Sequence, residues 1–201
     1  MFYRLLFNST TYLTILLALV AIVGDYIVYH TKLHFFQALF DNTTHALIGA
    51  LSWFMVCLHF KSSSAFYTLL EVAACAFVAS LIDLDHFVAA RSLNFEDATN
   101  LKQRPPLHCS TFPLVICLPL LMLSYVLYLP SLKRSILIVL TAFVSHHTRD
   151  ATRRGFWLYP YGSTPPIPYG IYVLITCMIP HLIRLLYTML KKNDISVSYD
   201  F

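Results

Sequence analysis

Charge is scarce in this sequence. Only 12% of residues are Asp, Glu, Lys or Arg, against about 25% in ordinary soluble domains. A water-facing surface cannot be built at that density, so a free-standing soluble domain is excluded. Cysteine pairing signals are also missing. Cys57, Cys75, Cys109, Cys117 and Cys177 are odd in number and form no CxxC, which argues against a disulfide framework or a zinc ribbon. No basic run is interleaved with aromatics, so the net charge of +4 reads as lysines and arginines at lipid headgroups and not as a nucleic-acid surface. Internal repeats and low-complexity tracts are absent. No small-x-small cleavage site follows the first apolar run; polar Asp25 comes instead, which favours an uncleaved first span over a secretory signal.

What is present is apolar: 58% of residues are hydrophobic and the mean hydropathy is +0.65. A helical span takes about 20 such residues. The expected fold is all-α, a polytopic helical bundle in a single membrane domain. Its spans are expected near 9–29, 44–60, 65–90, 112–129, 135–150 and 169–190, with a loop at 30–41 and a polar tail at 191–201. Asn8 and Asn42 each head a glycosylation sequon.

The few ionisable groups are unevenly placed. With alternating spans, Asp25, His45, Asp83, Asp85, His86, His108, His146, His147 and Asp150 fall at one membrane face. Lys61, Lys133, Arg134, Lys191 and Lys192 mark the other. Charge at membrane depth costs at least about 2.5–3.5 kcal/mol on insertion scales, so convergent groups point to mutual pairing or to a metal ion. In Ser145-His-His-Thr-Arg-Asp150, His146 and Asp150 share a helical face at i, i+4. In Asp83-Leu-Asp85-His86 the three side chains turn inward together only if the helix ends there. The bland alternatives are a polar helix end touching headgroups and a capped helix end bridged to Arg91 or Arg104. A lone His45 or His108 is ordinarily an interfacial histidine; only the shared face makes each a ligand candidate. Carboxylate and imidazole donors suit Zn²⁺, Mn²⁺ or Fe²⁺, singly or as a pair. Arg104, Arg149, Arg153 and Arg154 lie on the same face and suit a phosphate.

Blocks carrying these residues resemble a known family. They are Asp41-Asn-Thr-Thr-His45-Ala-Leu-Ile-Gly49, Leu81-Ile-Asp83-Leu-Asp85-His86-Phe87, Arg104-Pro-Pro-Leu-His108-Cys-Ser-Thr111, Ser145-His146-His147-Thr-Arg149-Asp150 and Ser163-Thr-Pro165-Pro-Ile167-Pro168. Together they resemble the metazoan transmembrane protein 267 family over nearly the whole chain. More remotely, they look like LexA-regulated bacterial inner-membrane metal-dependent hydrolases. That likeness maps an early His to His45, a D-x-D-H motif to Asp83, Asp85 and His86, parts of H-R-G-x-T-H-S to Arg104 and His108, and S-H-x-x-x-D to Ser145, His146 and Asp150. The chain departs from it at Gln103, Pro105 and Cys109. The departure at Gln103 leaves one ligand position without a His.

The leading expectation is metal-dependent hydrolysis of a phosphoester or lipid-like substrate. His45, Asp85, His86, His108, His146 and Asp150 are the expected metal ligands. Asp83 and Asp85 are the expected catalytic carboxylates, with Asp83 a bridging ligand or general base. Arg104 and Arg153 are expected to face the substrate. The alternative is a non-catalytic scaffold, lipid binder or metal carrier. Setting the pocket arginines aside, the positive-inside rule favours cytoplasmic termini and a pocket facing the lumen or exterior.

Overall fold

The computed structural model describes residues 2–60 and 64–190, with side chains from residue 9 onward. The tail, Lys61, Lys191 and Lys192, and the side chains of Arg4 and Asn8 lie outside the described residues. The fold is all-α. Helices α1 (Phe2–His30), α2 (His34–Cys57) and α3 (Ala65–Leu81) come first. A 3-10 turn at Ile82–Leu84 leads into α4 (Asp85–Ala90), and a short α5 (Phe95–Thr99) follows. A second 3-10 turn, Pro106–His108, precedes α6 (Thr111–Val126). Then come α7 (Pro130–Arg154), the two-residue strands β1 (Trp157–Leu158) and β2 (Gly162–Ser163), and α8 (Tyr169–Met189).

Three stretches are long and apolar enough to cross a membrane: Ser9–His30, Ala65–Ala90 and Tyr169–Met189. Thr111–Val126 is a shorter apolar helix. Tyr12, Leu19, Val23, Leu69, Phe77, Leu174 and Leu182 on these helices are exposed, as a lipid-facing surface requires. The protein is an integral membrane protein of apolar helices.

Two boundaries differ from expectation. The expected loop at 30–41 shrinks to a few residues, because α2 begins at His34. Its first turns carry polar Gln37, Asp41 and Asn42, which masked a helical pattern in the hydropathy. Likewise α7 begins at Pro130 and continues to Arg154, well past the apolar run. Pro130 suits a first helical turn, where a missing N–H is no loss.

Helix α7 is the centre of the bundle. Leu137, Leu140, Thr141, Ala142, Ser145, His146, Thr148 and Arg149 on it are all buried. It packs against α2, α3, α6 and α8. Small residues bring its neighbours close. A Cβ on Gly24 of α1 would lie 2.4 Å from the Thr44 side chain of α2, and one on Gly49 of α2 would lie 3.0 Å from Ala79 of α3. Membrane helices associate through such backbone approach, since lipid supplies no hydrophobic drive between them. These contacts draw α1, α2 and α3 together.

The segment after α7 folds back over that end. Gly155 has φ +68, and a Cβ there would collide with the Thr164 carbonyl, so only glycine fits. Ile167 N–H donates to Ala151 O, and Ser110 N–H donates to Trp157 O at 2.8 Å. The hairpin thereby pins the loop that carries His108.

Candidate metal centre

The 3-10 turn at Ile82–Leu84 is the local device that lets Asp83, Asp85 and His86 turn inward together. It ends α3 at Leu81 and itself carries Asp83, and α4 restarts at Asp85. His108 arrives from the turn opposite, His146 and Asp150 from α7, and His45 from α2.

His108 sits between two carboxylates. Its Nδ1 lies 3.2 Å from Asp85 Oδ1, and its Nε2 lies 3.4 Å from Asp83 Oδ1. Nε2 also lies 3.2 Å from Asp150 Oδ2 and 3.3 Å from His146 Nε2. His146 Nε2 in turn lies 3.5 Å from Asp83 Oδ1 and 3.3 Å from Asp150 Oδ2. His108 Nε2 and His146 Nε2 thus each lie 3.2–3.5 Å from both Asp83 Oδ1 and Asp150 Oδ2, and 3.3 Å from one another. Four ligands about 2.0–2.1 Å from an ion in tetrahedral array are about 3.3–3.4 Å apart.

The tautomers agree with that geometry. His146 Nδ1 donates to the Ala79 carbonyl at 2.9 Å, which leaves the lone pair on Nε2. Asp85 faces Nδ1 of His108, leaving that lone pair on Nε2 as well. Two lone pairs 3.3 Å apart, flanked by two carboxylates, repel unless a cation or proton lies between them. Burial opposes charge on His108, yet the hydrogen bonds it donates to the carboxylates of Asp150, Asp83 and Asp85 outweigh it and push its pKa up to about 11. The pocket is built for positive charge.

His45 is 1% exposed, and neither of its ring nitrogens has a well-aligned hydrogen bond. Its Nε2 lies 3.5 Å from Asp150 Oδ1 and its ring stacks on His146, centroids 3.8 Å apart. His86 turns Nδ1 to the Asp83 carbonyl at 3.1 Å and to Asp85 Oδ1 at 3.4 Å. Metal-compatible trios form at His45, His146 and Asp150, at Asp83, His108 and His146, and at Asp85, His86 and His108. The middle trio shares His146 with the first and His108 with the third, while the first and third share no residue. A neutral imidazole has one lone pair, so neither ring can serve two ions at once.

Several supporting residues were not visible as such in the sequence. Asn42 donates to Asp83 Oδ2 at 3.2 Å and to the Ser80 carbonyl at 2.9 Å, and accepts from the Ser80 hydroxyl. The sequon asparagine is therefore an inward-facing brace in α2. Its only sequence signal is its place beside Asp41 and one turn before His45. His147, beside His146 in the chain, donates to the Leu107 carbonyl at 2.9 Å and so holds the His108 turn from behind. Leu107 N–H donates to Asp85 Oδ2 at 2.7 Å.

The arginines divide. Arg149, one of the four arginines on the face suited to a phosphate, is 1% exposed and is consumed by the protein. Its Nε is 2.8 Å from Asp25 Oδ1, and an Nη is 2.7 Å from Asp41 Oδ1. It ties α1 and α2 to α7. Arg104 donates to the carbonyls of Gly155 and Arg154, and Arg153 pairs with Asp41. Arg104, Arg153 and Arg154 nevertheless line a cavity of about 150 Å³ together with Asp83, His86, His108 and Asp150. At about 30 Å³ per water, that space holds about five waters.

A transmembrane protein 267 of Danio rerio is 45% identical over 162 residues, spanning 79% of this chain and 70% of the relative. Those of Xenopus laevis (43% over 154 residues; 75% and 68%) and Mus musculus (39% over 168 residues; 81% and 75%) are similar to a comparable extent. No family model matches the chain, and no solved structure does. The remoter likeness to bacterial hydrolases gains no support from these comparisons. Identity of this level over most of both sequences places the chain in the transmembrane protein 267 family.

Proposed function

We propose that the cluster holds one divalent cation at one face of the membrane and that the protein uses it to hydrolyse a phosphoester. Asp83, His108, His146 and Asp150 would be the ligands, with His45 at the edge of the set beside Asp150. The carrying observation is the set of donor separations of 3.2–3.5 Å, which favours Zn²⁺ over ions preferring octahedral oxygen sites. Asp85, paired with the far nitrogen of His108, serves as the carboxylate that orients and polarises a liganding imidazole. A bound divalent ion would supply a water with a pKa near about 7, a nucleophile at neutral pH. His86 lines the cavity with Nδ1 turned to a backbone carbonyl, which leaves Nε2 to exchange a proton there.

The test is metal analysis of protein purified without added chelator, followed by release of phosphate from p-nitrophenyl phosphate. The expected result is one tightly held transition-metal ion per chain and turnover that chelator abolishes. Wild-type protein without stoichiometric metal overturns the reading. A second reading, a metal-holding scaffold without turnover, is favoured by Arg104, whose guanidinium is already engaged by two carbonyls. Stoichiometric metal with no hydrolysis would select it.

A further inference from the structure

Resting on the phosphoester reading, we propose that the substrate is a phosphate-bearing membrane lipid, with its apolar chains in a cleft beside the cluster and its phosphate at Arg153. The cleft is about 1330 Å³ in volume. Small-molecule pockets are about 300–1,000 Å³, so this space suits a long amphiphile. Ile22 and Tyr26 of α1 and Phe35 and Ala38 of α2 form its apolar walls. Phe95 of α5 meets Phe35 edge-on at 5.9 Å and closes the cleft from the loop side. Ile22 and Tyr26 are exposed at its rim on α1, so the cleft is open where lipid lies.

Polar residues line the cleft on two sides: Asp25, Asp41, Thr152 and Arg153 beside the cluster, and His34 and Gln37 of α2 with Glu96, Thr99 and Asn100 at and just after α5; Arg153 is the one arginine or lysine among them. Asp41 and Arg153 line both the cleft and the smaller cavity, so one ion pair separates the two spaces. Asp41 Oδ2 is 3.8 Å from His45 Nε2, which is 3.5 Å from Asp150. Charge decides the occupant. Asp41 holds two arginines, Arg149 at 2.7 Å and Arg153. Arg149 is 1% exposed, whereas the Arg153 side chain is 48% exposed. An anionic headgroup can take Arg153 while Arg149 keeps Asp41 neutralised. An uncharged lipid would leave that ion pair closed. A water-soluble phosphate would leave the apolar walls unfilled.

The test is photolabelling of the full chain in lipid nanodiscs with a diazirine-tailed phosphatidic acid, mapped by mass spectrometry. Labelling is expected on the peptides of Ile22, Tyr26 and Phe35. Long-chain phosphatidic acid should compete, and glycerol phosphate and diacylglycerol should not. Ala38→Trp, which fills the cleft, should cut labelling about tenfold, and Arg153→Gln should weaken competition by a similar factor. Thr99→Trp, filling the cleft from α5, repeats the test should Ala38→Trp elute as aggregate. Undiminished labelling in the folded tryptophan variant, or equal competition by diacylglycerol, means boundary lipid only and overturns the proposal. Labelling needs no metal, so a metal-free wild type would defeat the phosphoester reading without touching this readout.

Discussion

The two ends of the bundle both bury ionisable groups, and they settle them differently. At the end away from the cluster, Glu71 of α3 meets Arg134 of α7 at 2.5 Å and accepts from Trp53 Nε1 at 3.2 Å. Lys133 donates to the Leu190 carbonyl and lies over the Tyr187 ring. There, acid meets base, and the charges cancel within the protein. At the loop end the two kinds of arrangement stand side by side. Asp25 and Asp41 are cancelled by Arg149 and Arg153. Asp83, Asp85 and Asp150 face imidazoles in place of arginine or lysine. A carboxylate that the protein neutralises by itself is structural. Carboxylates that face imidazoles are balanced only when a proton or a cation joins them, and that contrast marks the candidate site.

The comparison breaks or sharpens at defined residues. The largest effect is expected from Asp150→Ala, which touches His45, His108 and His146 at once. It should lose stoichiometric metal, read by elemental analysis, while eluting as a folded monodisperse species. Arg149→Met comes next. It strips Asp25 of its arginine and leaves Asp41 with Arg153 alone, and breaking a buried pair costs about 3–5 kcal/mol. Unfolding in mixed micelles should show that loss.

Asn42→Ala should reach the metal set through Asp83, and it also frees Ser80. Removing an outer brace of a ligand typically costs about 10–100-fold in metal affinity, measurable by competition with a chromogenic chelator, with thermal stability nearly kept. The smallest effect belongs to the far end. Glu71→Gln keeps an acceptor for Trp53 and loses only the charge-assisted part of its pairing, about 1 kcal/mol. Its metal content should equal wild type. Metal loss in Glu71→Gln, or metal retention in Asp150→Ala, would erase the distinction between the two ends.

Much of the site was legible because helical periodicity is local. His146 and Asp150 at i, i+4 had to share a face, and they meet at 3.3 Å. Span alternation placed His45, Asp83, Asp85, His86 and His108 at the same membrane face, where the structure gathers them. What was hidden depends on partners far along the chain. Asn42 looked like a sequon, but Asp83 and Ser80 make it a brace. Arg149 looked like a phosphate ligand, but Asp25 and Asp41 take it. His147 is adjacent to His146 in sequence, yet a difference of about 100° around the helix turns it to the Leu107 carbonyl.

By itself, the sequence determined the membrane character, the all-α class and the face on which the polar groups collect. Apolar length and helical period are properties of contiguous residues, so no folding was needed to read them. Only the tertiary structure decided which imidazole nitrogens point at which carboxylates, and which arginines remain reachable. Those outcomes are set by close helix approach at Gly24 and Gly49 and by the 3-10 turn at Ile82–Leu84. Shifts of about an ångström there separate a set of donors from a set of salt bridges.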